Sequence, residues 1–276
     1  MDILNWHQKF SIDIQLIYNS EATRKNYASQ VWCFLNHFKA EKEPKAIDNE
    51  KIKLWLLQAE TINTRKHRLC ALNAFYKHTV KMPNKVAKIP YPKSEKKLPI
   101  VLSQDEVQAM FDVCENLKHK VILALLYACG LRVSEVINLR WSDIDRSRMI
   151  INIIAGKGKK DRQVMLPEPL LKLLERYWYA YKTKTYILGG QFTDQYSSRS
   201  IGQVMKQLAD KAGIKKRVYT HLMRHNCFTH MVENGIDINI IQKLAGHSNV
   251  KTTMVYTHIS DAIISKVKSP LNSISL

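Results

Sequence analysis

The sequence predicts a mainly α-helical protein of two domains, the second carrying one small antiparallel β-sheet or hairpin. Three observations carry this expectation. Apolar residues recur at three- and four-residue spacing through most of the chain. A proline- and lysine-rich stretch, KIPYPKSEKKLP, cannot hold a regular element. One β-branched run, MIINII, is followed by a glycine-bearing turn and a second extended run, RQVMLP. The boundaries follow: a helical domain over 1–88, an extended basic linker over 89–99, and a second domain over 100–276.

In the first domain, Glu21 to Lys39 sets Tyr27, Val31, Phe34, Leu35 and Phe38 at helical spacing. Asp48 is placed to cap a helix through Trp55 and Leu56. Asn63 is the candidate cap of another, with Leu69, Leu72, Phe75 and Tyr76 inside and Arg65, Lys66, Arg68 and Lys77 around it. In the second domain, Ser103 and Glu106 spell a capping box. A strongly apolar helix from about Lys118 to Cys129 ends at Gly130, Arg132 follows the break, and VSEVINL starts a new helix at once. The expected hairpin carries Lys157 at or beside its tip, between Gly156 and Gly158. GKG is no P-loop, because the GxxxxGK[ST] spacing is missing and no helix opens behind it. Helices resume from Leu170 and again from about Ser200 to Ala212.

The stretch from Thr220 to His258 reads as three short helices. Thr220 is the candidate cap of the first, which runs to about Glu233 before Gly235. Asp237 caps the second, and Gly246 stops it. The third begins near Asn249 and carries Tyr256. At 100° per residue, Met223, Cys227, Phe228, Met231 and Val232 share one apolar arc, and Arg224 lies inside it. An unpaired guanidinium facing a core costs several kcal/mol, so Arg224 must meet an anion, either a carboxylate of the protein or the phosphate of a ligand. Arg132, at a junction between buried helices, poses the same problem, with Glu135 as the local group to orient it.

Charge narrows the choice of ligand. The chain carries 43 Lys and Arg against 24 Asp and Glu, a net charge of +19. Residues 1–50 are balanced, and the excess is concentrated over residues 51–100, an uneven basic surface that suits nucleic acid. The five cysteines (Cys33, Cys70, Cys114, Cys129 and Cys227) form no CxxC pair, which argues against structural zinc and fits a reducing cytosol. With no signal-peptide pattern and no apolar run near ~18 residues, the expected location is cytoplasmic. His221 and His225 are four apart, but Leu222 stands where a zinc hydrolase would carry its glutamate base. No acidic cluster points to two-metal chemistry. Neither metal nor cofactor is expected.

Taken in order, Arg132, Lys157, His221-x-x-Arg224, His247 and Tyr256, with GLRVSE, LAGHS and TTMVYTH around them, resemble the pattern of the tyrosine recombinase (phage integrase) family. The resemblance covers essentially Ile100–His258; the upstream helices look like the family's SAM-like core-binding domain. It implies a two-domain clamp around duplex DNA and metal-independent breakage and rejoining of strands at a specific site. In that reading Tyr256 is the nucleophile and forms a 3′-phosphotyrosine, and Arg132 and Arg224 clamp the phosphate. His221 and His247 add hydrogen bonds and proton handling, Lys157 protonates the departing 5′ oxygen, and Glu135 supports Arg132. It further implies a simple Xer-like or integron-like enzyme of integration or excision, on a host chromosome or mobile element, without an arm-binding domain. Four protomers would assemble on two DNA sites through a C-terminal tail helix capped by Ser260. The departures are small: VYTH lacks the proline common before the histidine, and Met223 stands where leucine is commoner. Two alternatives stay open, a binding protein of the same fold without catalysis and a strand-relaxing type IB topoisomerase.

Overall fold

The computed structural model describes residues 2–93, 100–154, 161–190, 195–247 and 249–256, with Lys251 described by its backbone alone. Residues 94–99 of the expected linker, Lys157, His258 and the expected tail helix lie outside the described residues. Residue contacts gather the chain into two compact units, Met1–Lys97 and Leu98–Leu276. No helix among the described residues is long and apolar enough to cross a membrane.

The first unit is helical: α1 (Ile3–Ile17), α2 (Glu21–His37), α3 (Asn49–Leu57), α4 (Ile62–Ala74) and the single turn α5 (Asn84–Ala87), with a π-helical turn, Phe75–Thr79, continuing α4. Its core is aromatic. Phe34 meets Trp55, Phe75 and Tyr76 edge-on, and Phe10 meets Phe75. Such pairs add to the burial of large apolar surface, which is the main force holding these helices together. Asp48 caps α3, accepting the Glu50 amide, as expected. Asn63 does not cap α4. Thr61 does, because its extended backbone lets its hydroxyl accept the Thr64 amide, which places Asn63 inside the first turn. The basic residues of α4 are not all free either: the Arg68 guanidinium lies 4.4 Å over the Trp55 ring and donates to the Trp55 carbonyl.

The second unit is mainly helical around a small sheet: α6 (Gln104–Asp112), α7 (Leu117–Ala128), α8 (Val133–Asn138), α9 (Glu168–Tyr181), α10 (Ser198–Lys211), α11 (Thr220–Glu233), α12 (Ile238–Ala245) and α13 (Val250–Thr253), the last running into a 3₁₀ turn, Met254–Tyr256. The Ser103–Glu106 capping box at α6 is present in both directions. The expected hairpin is the pair β2 (Ile150–Ile153) and β3 (Arg162–Met165), antiparallel, with Ile151 opposite Val164. A short β1 (Ile144–Asp145) adds a third strand in the order β1-β2-β3. One departure touches the site. Thr220 is the first residue of α11 rather than its cap, because Tyr219 holds the extended position before the helix and makes no side-chain capping bond.

The apolar helix α7 packs along α11, and its buried face (Val121, Ile122, Leu125, Leu126) joins Leu222 and Met223 in the main core. This packing sets the break after α7 against the middle of α11. Gly130 makes the break with a positive φ of 57°, and a Cβ there would sit 2.6 Å from Cζ of the Phe228 ring. Gly130→Ala should therefore lower the stability of the second unit by about 2 kcal/mol or more, the sum of left-handed strain and overpacking. Urea unfolding followed by tyrosine and tryptophan fluorescence checks this, and an unchanged midpoint would show that the ring yields freely.

Candidate active site

Arg224 is fully buried on α11, on the apolar arc where the helical spacing put it. Among the described residues no carboxylate meets it. Its Nη1 donates to the carbonyl of Gly130 and its Nη2 to the carbonyl of Ala245, while its guanidinium lies 4.9 Å over the Phe228 ring. Ala245 is the last residue of α12, so its carbonyl is one of those a helix leaves unpaired, and a cation there also meets the negative end of the helix dipole. Nε of Arg224 is buried with no partner among the described residues. Burial, then the neighbouring Arg132 and Arg162, bring its pKa down to about 10, so it is still a cation at neutral pH.

Arg132 stands at the N-cap of α8, with its side chain 28% exposed. Its backbone N–H donates to Glu135 Oε2 (2.7 Å), its Nη1 to Glu135 Oε1 (2.8 Å), and its Nη2 reaches the same Ala245 carbonyl at 3.4 Å. A third arginine, absent from the sequence-based set, completes the group. Arg162, at the start of β3, grips both oxygens of Glu135 through Nη1 (2.7 Å) and Nη2 (2.8 Å), and its Nε donates to the Leu244 carbonyl (2.7 Å). Its two-residue spacing from Val164 sets both on one face of a strand, and that face proves to be the inward one once β3 is paired. Burial works to raise the Glu135 pKa, but the hydrogen bonds from Arg162 and Arg132 outweigh it and hold the carboxyl down at about 2.

Three cationic guanidiniums against this one carboxylate leave an excess of two positive charges, one of them fully buried. His247 follows Gly246, whose positive φ of 61° ends α12. The imidazole reaches Arg224 Nη2 through Nε2 (3.4 Å) and Thr253 Oγ1 through Nδ1 (3.0 Å). Arginine offers no lone pair, so Nε2 must accept, and the proton sits on Nδ1 facing Thr253. Burial, then Arg224 and Arg132, hold its pKa down to about 4, which agrees with that neutral tautomer.

Tyr256 is 2% exposed, with its ring stacked on His247 at 6.2 Å and tilted against His225 and Phe228, each at 5.6 Å. Burial raises the phenol pKa, and Arg224 opposes that rise. His221 lies one turn before Arg224, open to solvent on one side and edge-on to His225 at 4.6 Å. Burial of its other side, then Arg224 and Arg132, hold its pKa below the usual imidazole range. Of the six expected residues, Arg132, His221, Arg224, His247 and Tyr256 gather here, and Lys157 lies outside the described residues. His225 sits among them with its Nδ1 buried and no partner among the described residues, and burial, then His221 and Arg224, hold its pKa at about 4. No group of three or more His, Cys, Asp or Glu among the described residues is placed to hold a metal ion.

Comparison with known proteins follows the same lines. Residues 100–262 match the phage integrase family. A protein of Sinorhizobium fredii named as an integrase/recombinase is 35% identical over 274 residues, covering 95% of this chain and 87% of its own. A tyrosine recombinase of Pseudothermotoga lettingae is 33% identical over 243 residues, 84% of each chain. In fold, the chain resembles the crystal structure of a lambda integrase dimer bound to a core site, with a TM-score of 0.78 over 92% of this chain and 94% of that one, at 16% identity.

The depressed histidines make stability depend on pH. His225 and His247 fall to about 4 from an ordinary 6.5, so as pH drops the unfolded chain binds their protons first. Their contribution is complete above pH 6.5 and is lost as pH falls toward 4. The urea midpoint of the second unit should decline across that window, and His225→Gln should flatten the decline; an identical slope in the variant would contradict the depressed value.

Proposed function

The chain belongs to the phage integrase family of tyrosine recombinases, and we propose that it breaks and rejoins DNA at a specific site through a tyrosyl–phosphate intermediate. The observation that carries this reading is the pair of surplus positive charges around Arg224, within reach of the Tyr256 ring. A phosphodiester brings one negative charge, and attack by a phenolate brings a second. Two uncompensated guanidinium charges suit that dianionic transition state better than they suit the single charge of the bound ground state.

In the proposed reaction the Tyr256 oxygen forms a bond to the scissile phosphorus and the bond from phosphorus to the 5′ oxygen breaks. The product is a 3′-phosphotyrosine and a free 5′ strand end. The phenol proton passes to the neutral imidazoles of His221 or His247. Lys157 supplies the proton that the departing 5′ oxygen needs. Arg132 and Arg224 donate to the non-bridging oxygens. A 5′ hydroxyl from a partner strand then attacks the phosphotyrosine, restoring the phenol and closing the new strand, so bond energy is conserved and no external energy source is required. The basic stretch over residues 51–100 would hold the duplex backbone. The partner is double-stranded DNA carrying the core site, with four protomers on two sites exchanging C-terminal tails.

Covalent trapping tests the reading. With EDTA present, nicked duplexes drawn from DNA flanking the coding sequence should yield a protein–DNA adduct stable to denaturing gels, and Tyr256→Phe should abolish it. Arg224→Lys should slow its formation about a hundredfold, because a point charge cannot replace the planar fork. Tight, salt-sensitive binding without an adduct would instead identify a DNA-binding protein that has lost catalysis.

A further inference from the structure

Among the groups that the proposed chemistry leaves without a role, Arg162 has the most specific surroundings. Its side chain is 6% exposed, and its guanidinium makes three hydrogen bonds to elements that bear the site. Each oxygen of Glu135 accepts two bonds. Oε1 takes Arg162 Nη1 and Arg132 Nη1, while Oε2 takes Arg162 Nη2 and the Arg132 backbone N–H. Arg132 thus binds Glu135 through one guanidinium nitrogen only. Its Nη2 is held loosely, at 3.4 Å from a carbonyl.

A carboxylate and a guanidinium three residues apart at a helix start would ordinarily close a two-pronged fork. Arg162 already occupies that bidentate geometry, so the fork with Arg132 cannot form. We propose that Arg162 is a positioning residue: by saturating Glu135 it keeps the outer donors of Arg132 available for the phosphate. It acts through Glu135 and makes no contact with DNA. The same side chain ties the first residue of β3 to the end of α12 through the Leu244 carbonyl, one residue from the carbonyl that Arg132 and Arg224 share. The strand that leaves the Lys157 segment and the turn that carries His247 are therefore held by one guanidinium. This inference rests on the reading of Arg132 as a phosphate ligand.

Two readouts test it, one of them independent of strand cleavage. The first is the rate at which phenylglyoxal modifies Arg132 in the folded, DNA-free protein, followed by peptide mass mapping. In Arg162→Met, Arg132 should close its fork on Glu135 and react several-fold more slowly. In Glu135→Gln/Arg162→Met, where the carboxylate is gone, the rate should return to the wild-type value or above it. The second is single-turnover adduct formation at saturating duplex. Arg162→Met should lose roughly tenfold or more in rate, from misplacement of the clamp, with little change in duplex affinity. The loss should shrink in the Glu135→Gln background, as expected for residues acting as a unit. Arg162→Lys keeps the charge without the fork, serves as the variant least disturbing to the fold, and should also lower the rate. Thermal melts report which variants remain folded.

An unchanged Arg132 modification rate in folded Arg162→Met or Arg162→Lys would overturn the proposal, and so would equal losses with and without Glu135. A wild-type chain that forms no adduct would count against the recombinase reading, while the modification rates would still decide the role of Arg162.

Discussion

The second unit is organised by the requirement to keep a guanidinium charged where water does not reach. Arg224 meets that requirement with peptide dipoles: the Gly130 carbonyl from the turn after α7 and the Ala245 carbonyl from the end of α12. Both carbonyls lie where a helix has ended, and each break carries a glycine in the left-handed region. The carbonyls solvate the cation without neutralising it. A carboxylate in their place would have consumed the charge and left less for an anionic ligand.

The position of Glu135 fits the same economy of charge. It orients the two flanking arginines, Arg132 and Arg162, while Arg224 keeps its full charge. A single buried carboxylate among three guanidiniums is well solvated by its four hydrogen bonds, so burial does not protonate it. The histidines respond in the opposite direction. Held neutral by burial and by the arginines, His221, His225 and His247 add no further charge to an already cationic cluster. They remain available as hydrogen-bonding groups and proton acceptors.

Much of this was legible in the chain. Helical spacing placed Arg224 on the core side of α11, the Gly130 and Gly246 stops were readable as C-terminal signals, and the Ser103–Glu106 box was evident from spacing alone. These features are local, and their physics is contained in a few neighbouring residues. What escaped is what depends on partners distant in sequence. Arg162 reads as an ordinary basic residue after a lysine-rich turn until β3 is paired and its inward face meets Glu135. Thr61 and Asn63 are both respectable caps, and the difference lies in which of them takes the extended backbone. The π-helical turn after Ala74 has no sequence signal, because its wider winding is set by how Phe75 and Tyr76 fit an aromatic core.

Gly246 and Arg162 meet at close quarters: a Cβ on the glycine would lie 3.0 Å from the arginine's Cδ. The two positions are remote in the chain, yet they divide a single volume between them. A side chain at 246 would push the stem of Arg162 aside by a few tenths of an ångström, on top of the strain of the left-handed backbone, and so would disturb the grip on Glu135 from a distance. The glycine that ends α12 thus also sets the room in which the arginine of β3 works.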